Sequence, residues 1–212
     1  MTAVTVLDYG IGNLLSVVRA LEHCGADVRV LQSATQEPDG HLVLPGVGAF
    51  TDAMKEIKAR GFDAMISRHV QAHRPFLGIC VGMQVMFALG EEFGLTPGLG
   101  LVEGRVVPVP KLGADGLRHR IPLVGWRPLQ PCDGGVPWAG SVFGAVPPGA
   151  QAYFVHSFMG QPHQATDRLA DISYDGVSIC AAVQHGSAVG CQFHPEKSAE
   201  TGLTLLRGFL GL

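Results

Sequence analysis

Charge is scarce in this 212-residue sequence: Asp, Glu, Lys and Arg make up 16%, where a soluble domain averages roughly 25%. The formal net charge is −3, so no basic surplus points to nucleic acid or to an anionic membrane surface. So little charge suits a compact fold with a large buried sheet, or a surface covered by another protein. Between residues 134 and 166 charged side chains are absent altogether. A membrane span is excluded there, because Gly134, Gly135, Pro137, Gly140, Gly144, Pro147, Pro148 and Gly149 would break its helix. The stretch reads as a loop-rich connection. The five cysteines are an odd number with no CxxC pair, which argues against a disulfide framework and suits a reducing compartment. The opening "MTAVTVLDYG" lacks a basic run and meets Asp8 after a short apolar stretch, so it reads as a first strand rather than a signal peptide. A cytoplasmic protein without membrane span, metal or organic cofactor is expected.

Apolar residues are plentiful at 47%, and so is glycine with 29 residues, about twice its usual share. In the first half, short apolar runs alternate with amphipathic stretches. "VTVLDYG", "DVRVL", "HLVLPG" and "PFLGI" read as strands. "NLLSVVRALEHC" (stopped by Gly25), "DAMKEIKARG", "DAMISRHVQAH" and "VGMQVMFALG" read as helices. The alternation predicts an α/β fold with a central, mostly parallel sheet flanked by helices. Ligands of such sheets sit beyond the carboxyl ends of the strands, where "LPGVGAF" and "LGICVG" both fall. The second half reads as shorter antiparallel strands, "GRVVPVP", "LVGWRPL", "AYFVHSF", "LADISYDG", "ICAAVQHG" and "SAVGCQFHP", with a hairpin through "QHGS". A closing helix over "SAETGLTLLRGFL" is expected to be capped by Ser198. One domain spanning residues 1–212 is expected.

Gly78-Ile79-Cys80-Val81-Gly82 has the form of a nucleophile elbow between strand and helix. A turn that sharp holds its central residue in a strained conformation, and side chains two residues either way would collide. The elbow places Cys80 at the amino end of a helix, where the dipole favours thiolate. The Val81 N–H, unpaired at a helix start, is available to a developing oxyanion. An isolated GxCxG is as often a buried structural cysteine, so a base is required.

Among nine histidines, His69 and His73 share a helix face but lack a third ligand, and read as a solvated face. His156 in "YFVHSF" reads as a site-lining residue without a carboxylate neighbour. His194 in "CQFHPEKS" precedes Pro195 and Glu196. In an extended stretch i and i+2 face one way, so Glu196 can hold one ring nitrogen while the other faces the nucleophile. Cys191 then faces the core.

Cys80 in "GICVGMQ" with His194 and Glu196 in "FHPEKS" resembles the triad of the class I glutamine amidotransferases, whose fold is flavodoxin-like. "DYGIGNLLSVVRAL", "LPGVGAFTDAM", "GW" and "YFVHSF" bring the resemblance closest to the glutaminase subunits of imidazole glycerol phosphate synthase. The resemblance implies that Cys80 attacks the side-chain amide of L-glutamine to form a thioester, with His194 as acid and base and Glu196 as orienter. It implies an oxyanion hole from the N–H groups of Val81 and Val47, with Gly46 and Gly48 leaving the Val47 peptide free to rotate. Gly48, Gln84, Glu92, Ser157 and Phe158 are the implied glutamine-binding residues, Glu92 pairing with the ammonium. Ammonia then passes to a separate (β/α)8-barrel cyclase subunit in a heterodimer. There it meets N'-phosphoribulosyl formimino-AICAR ribonucleotide and gives imidazole glycerol phosphate and AICAR. Asn13, Trp126 and Lys197 are the implied docking residues. Val81, Phe158 and Arg127 stand where the family often has leucine, tyrosine and asparagine. The alternatives are another class I amidotransferase glutaminase and a γ-glutamyl hydrolase on the same fold.

Overall fold

In the computed structural model, which describes residues 1–212, the first-half apolar runs form β1 (Thr2–Leu7), β2 (Ala26–Leu31), β3 (His41–Gly46) and β4 (Phe76–Cys80). Between them lie α1 (Leu14–His23), α2 (Phe50–Ala59) and α3 (Phe62–Gln71). Each helix buries a single stripe, such as Phe50, Ala53, Met54 and Ile57 of α2. All five residues of β4 are buried, as in a strand covered on both faces. His69 belongs to the buried stripe of α3, with Nε2 3.0 Å from the Pro75 carbonyl oxygen. The expected solvated face is therefore corrected: α3 turns that histidine toward the sheet.

After β4 come α4 (Val81–Gln84), β5 (Phe87–Gly90), β6 (Thr96–Pro97), β7 (Val102–Pro108), β8 (Leu123–Pro128), β9 (Gln151–His156) and β10 (Phe158–Pro162). The chain closes with β11 (Arg168–Tyr174), β12 (Val177–His185), β13 (Ala188–Cys191) and α5 (Ala199–Leu210). The central sheet runs β11-β12-β13-β4-β3-β1-β2. Strands β2, β1, β3, β4 and β13 are mutually parallel, and β12 and β11 continue antiparallel. The parallel part has the flavodoxin-like 2-1-3-4-5 order. A four-stranded sheet, β10-β7-β5-β6, and the β8-β9 ribbon pack beside it. No helix is long and apolar enough to cross a membrane.

A predicted helix departs from the sequence reading. "VGMQVMFALG" is not one helix: α4 ends after a single turn and Phe87–Gly90 is strand. The Val85 carbonyl oxygen accepts the Leu99 N–H, and that of Met86 accepts those of Leu101 and Val102. Acceptors a helix would need are thus taken by a distant segment.

Candidate active site

β4 ends on Cys80, which turns through φ 55, ψ −108 before α4 begins. That conformation costs a non-glycine residue about 1–3 kcal/mol, so the surroundings must impose it. A Cβ on Gly78 would lie 2.5 Å from the Gly82 carbonyl oxygen, and one on Gly82 would lie 1.9 Å from the Leu44 oxygen. The two elbow glycines let β3 and the turn approach closer than side chains allow. With α4 only one turn long, the expected macrodipole reduces to the free N–H groups of that turn.

β13 lies on the same sheet directly beside β4, with Cys191 opposite Ile79 and fully buried. Three residues on, His194 is extended at φ −98, ψ 100, and Pro195–Lys197 forms a 3-10 turn. That turn, rather than a continuing strand, carries Glu196 under the ring, with Oε1 2.9 Å from Nδ1. Proline starts the turn because its fixed φ suits a first helical position. The Ser198 hydroxyl donates to the His194 carbonyl at 2.6 Å and accepts the Tyr153 N–H at 2.9 Å. It straps the histidine down and does not cap α5, which has no side-chain cap.

The His194 and Glu196 side chains are 3% and 1% exposed. Nδ1–H donates to the carboxylate, and Nε2 has no hydrogen-bond partner. Burial opposes the imidazolium, but the adjoining Cys80 sulfur and Glu196 carboxylate outweigh it and raise its pKa to about 9. Cys80 and His194 line one cavity of about 300 Å³ with Val47, Gly48, Val81, Gln84, Glu92, Val155, His156 and Phe158. Its size is at the low end for small-molecule sites. A wider depression by Ala88, Glu103, Arg105 and His163 contains no nucleophile.

The remaining expected residues are placed unevenly. Glu92 lines the cavity from the turn after β5, not from a helix end, and its Oε2 accepts the Phe50 N–H at the start of α2 at 2.8 Å. Ser157 is not among the lining residues; its carbonyl accepts the Val109 N–H at 2.9 Å. By the alternation of an antiparallel ladder, that bond turns the Phe158 N–H away from β7. Asn13, Trp126 and Lys197 lie outside the cavity. Trp126 is 46% exposed and meets Tyr153 edge-on at 5.9 Å.

Three residues of the site had no role in the sequence reading beyond, for His156, a place in its lining. Tyr9, two residues past the end of β1, has a buried hydroxyl without partner. Burial, then the Cys80 charge, holds its pKa above the ordinary value. Gln192, fully buried, donates from Nε2 to Cys80 Sγ at 3.6 Å. His156 donates Nδ1–H to the Phe158 carbonyl oxygen at 2.8 Å. Its pKa is lowered to about 4 by burial, partly offset by that bond and reinforced by the His194 charge. The position of Tyr9 at a strand's carboxyl end was the one sequence signal for it.

The two histidines act oppositely on stability. His156, lowered, contributes fully above pH about 6.5, and that contribution is lost as pH falls toward 4. His194, raised, contributes fully below about 6.5 and loses its share as pH rises toward 9. Between pH 6.5 and 4.5 the unfolded chain takes up a proton that His156 refuses, at most about 1.4 kcal/mol per pH unit. A scan of unfolding free energy over that range is expected to fall with acid, and less steeply in His156→Asn. Equal slopes would show that His156 is not held neutral.

The model of the class I glutamine amidotransferases matches residues 5–210. The chain belongs to that family. It is 45% identical over 211 residues to imidazole glycerol phosphate synthase subunit HisH 1 of Legionella pneumophila (strain Lens), covering 99% of each chain. It is 40% identical over 208 residues to the HisH subunit of Syntrophotalea carbinolica, covering 97% of this chain and 98% of that one. Within the class it therefore stands with the HisH glutaminase subunits. Among solved structures, PurLQS of Thermotoga maritima aligns at TM-score 0.73 and 18% identity, over 100% of this chain and 99% of that one. A glutamine amidotransferase of Thermotoga maritima aligns at TM-score 0.62 and 16% identity, over 94% of this chain and 78% of that one. These two show the shared fold.

Proposed function

We propose that Cys80, His194 and Glu196 form the catalytic triad of a glutaminase that supplies ammonia to a separate cyclase subunit. The observation that carries this is the meeting of Cys80 with a carboxylate-held imidazole at one cavity. His194 takes the thiol proton, and the sulfur attacks the glutamine amide carbon. A C–S bond forms, the C–N bond breaks, and His194 returns the proton to the leaving nitrogen as ammonia. His194 then deprotonates a water that opens the thioester, releasing glutamate and restoring the thiol. Glu196 fixes the tautomer and stabilises the imidazolium. The N–H groups of Val81 and Val47 receive the oxyanion. Gly48, at φ 84 and with only Ile11 near its missing side chain, at 3.8 Å, gives the Val47 peptide room to turn. Gln84, Glu92 and Phe158 hold the amino-acid end.

The partner is a (β/α)8-barrel cyclase that receives the ammonia, giving a heterodimer. Val124 and Trp126 on β8 and Val155 on β9 expose an apolar face, and Val155 also lines the cavity. A patch of this kind suits an interface, with Trp126 as anchor and Asn13 and Lys197 as further docking residues. Glutamate release is measured for the purified chain alone, then with the cyclase and its ribonucleotide ligand. A rise of about ten- to hundredfold with the liganded partner is expected. Turnover that ignores the cyclase would leave a glutaminase serving a different acceptor.

A further inference from the structure

We infer that Gln192 is a positioning residue for the nucleophile: its side-chain amide donates an N–H to the Cys80 sulfur, and the substrate-binding side of the cavity sets that amide's direction. The inference rests on Cys80 being the nucleophile of the glutaminase proposed above.

A primary amide looks nearly the same either way round, so its neighbours must fix its direction. Here they do so from one carbonyl. The Phe158 oxygen only accepts, so Gln84, 3.1 Å away, must present its Nε2. The same nitrogen lies 3.1 Å from the Gln192 side chain, and its second hydrogen requires Oε1 there. Gln192 Nε2 is then left facing Cys80 Sγ at 3.6 Å. Reversing Gln192 would set two NH2 groups against each other and an amide oxygen against the sulfur. The first contact is repulsive in a fully buried place, and the second would repel a thiolate.

An N–H aimed at sulfur favours thiolate over thiol and holds the side chain in one direction. α4 is too short to supply a macrodipole, so beside the His194 imidazole the nucleophile has this donor and the turn's own N–H groups. Gln84 also lines the cavity. A ligand that shifts Gln84 therefore acts on Cys80 through two hydrogen bonds, and one that shifts the Phe158 carbonyl through three.

The test uses the full chain with its cyclase partner. The rate of Cys80 alkylation by iodoacetamide, followed on the Cys80 peptide by mass spectrometry, is measured against pH, alongside kcat and KM for glutamine. Gln192→Met keeps length and removes the donor; Gln192→Glu keeps shape and replaces the donor edge. In Gln192→Met the alkylation midpoint is expected to rise by about one pH unit, and kcat to fall about tenfold with KM little changed. Gln192→Glu is expected to raise the midpoint at least as far, and carries the test if the methionine variant does not fold. Folded variants with the wild-type midpoint would overturn the inference. Wild-type enzyme that keeps turning over after Cys80 is alkylated would instead overturn the glutaminase reading itself.

Discussion

Cys80→Ala is expected to lower glutamine hydrolysis by at least about 10⁴-fold in the presence of the cyclase. Alanine cannot form a thioester, and general-base attack by water on an amide is what remains. The proposed oxyanion donors and substrate contacts survive the change, so KM for any residual reaction should stay near the wild-type value. The fold should survive too, because alanine tolerates the same φ of 55 no worse than cysteine and deletes one buried sulfur. Steady-state kinetics with isothermal glutamine binding would check both halves. Residual activity above a hundredth of wild type would remove Cys80 from the chemistry.

The second large effect is structural. Gly82→Ala should destabilise the chain by about 3 kcal/mol or more, a large share of a typical stability. Its Cβ would sit 1.9 Å from the Leu44 carbonyl oxygen, which is backbone of β3 and has no rotamer to offer. Gly25→Ala is the control: φ there is +90 with nothing within 4 Å of the new atom, so only the left-handed penalty of about 1 kcal/mol applies. Denaturant midpoints of the two variants separate collision from conformational freedom. Equal losses would mean that β3 and the elbow are not in that close contact.

The parts of this protein that declare themselves in sequence are those whose cause is local. Alternating apolar runs announced β1 to β4 and their helices, and the glycines flanking Cys80 announced the elbow because a turn that sharp admits no others. His194 and Glu196 were legible as a pair, although a 3-10 turn joins them where a strand was expected. The fate of "VMFALG" was not legible: a run apolar on all sides looks alike as buried helix or buried strand. Its carbonyl partners lie at residues 99–102, outside any local window. Gln192 stayed hidden for the same reason, since the residue that orients it is Gln84, reached only when β13 docks beside β4. His69 sits on a helix whose polar residues gave no sign of which side meets the sheet.

The order of the sheet has a consequence for synthesis. β13 is inserted between β12 and β4 rather than added at an edge, and it delivers the imidazole. While the chain is being made, the elbow emerges first, and the strand carrying His194 follows roughly 10 s later at ordinary elongation rates. Until that strand slots in, the sulfur has neither the His194 imidazole nor the Gln192 amide beside it. On the proposed mechanism, a ribosome-bound or prematurely terminated chain holds a cysteine at its turn but is expected to release no ammonia. Turnover is then expected only once the last strand has closed the sheet.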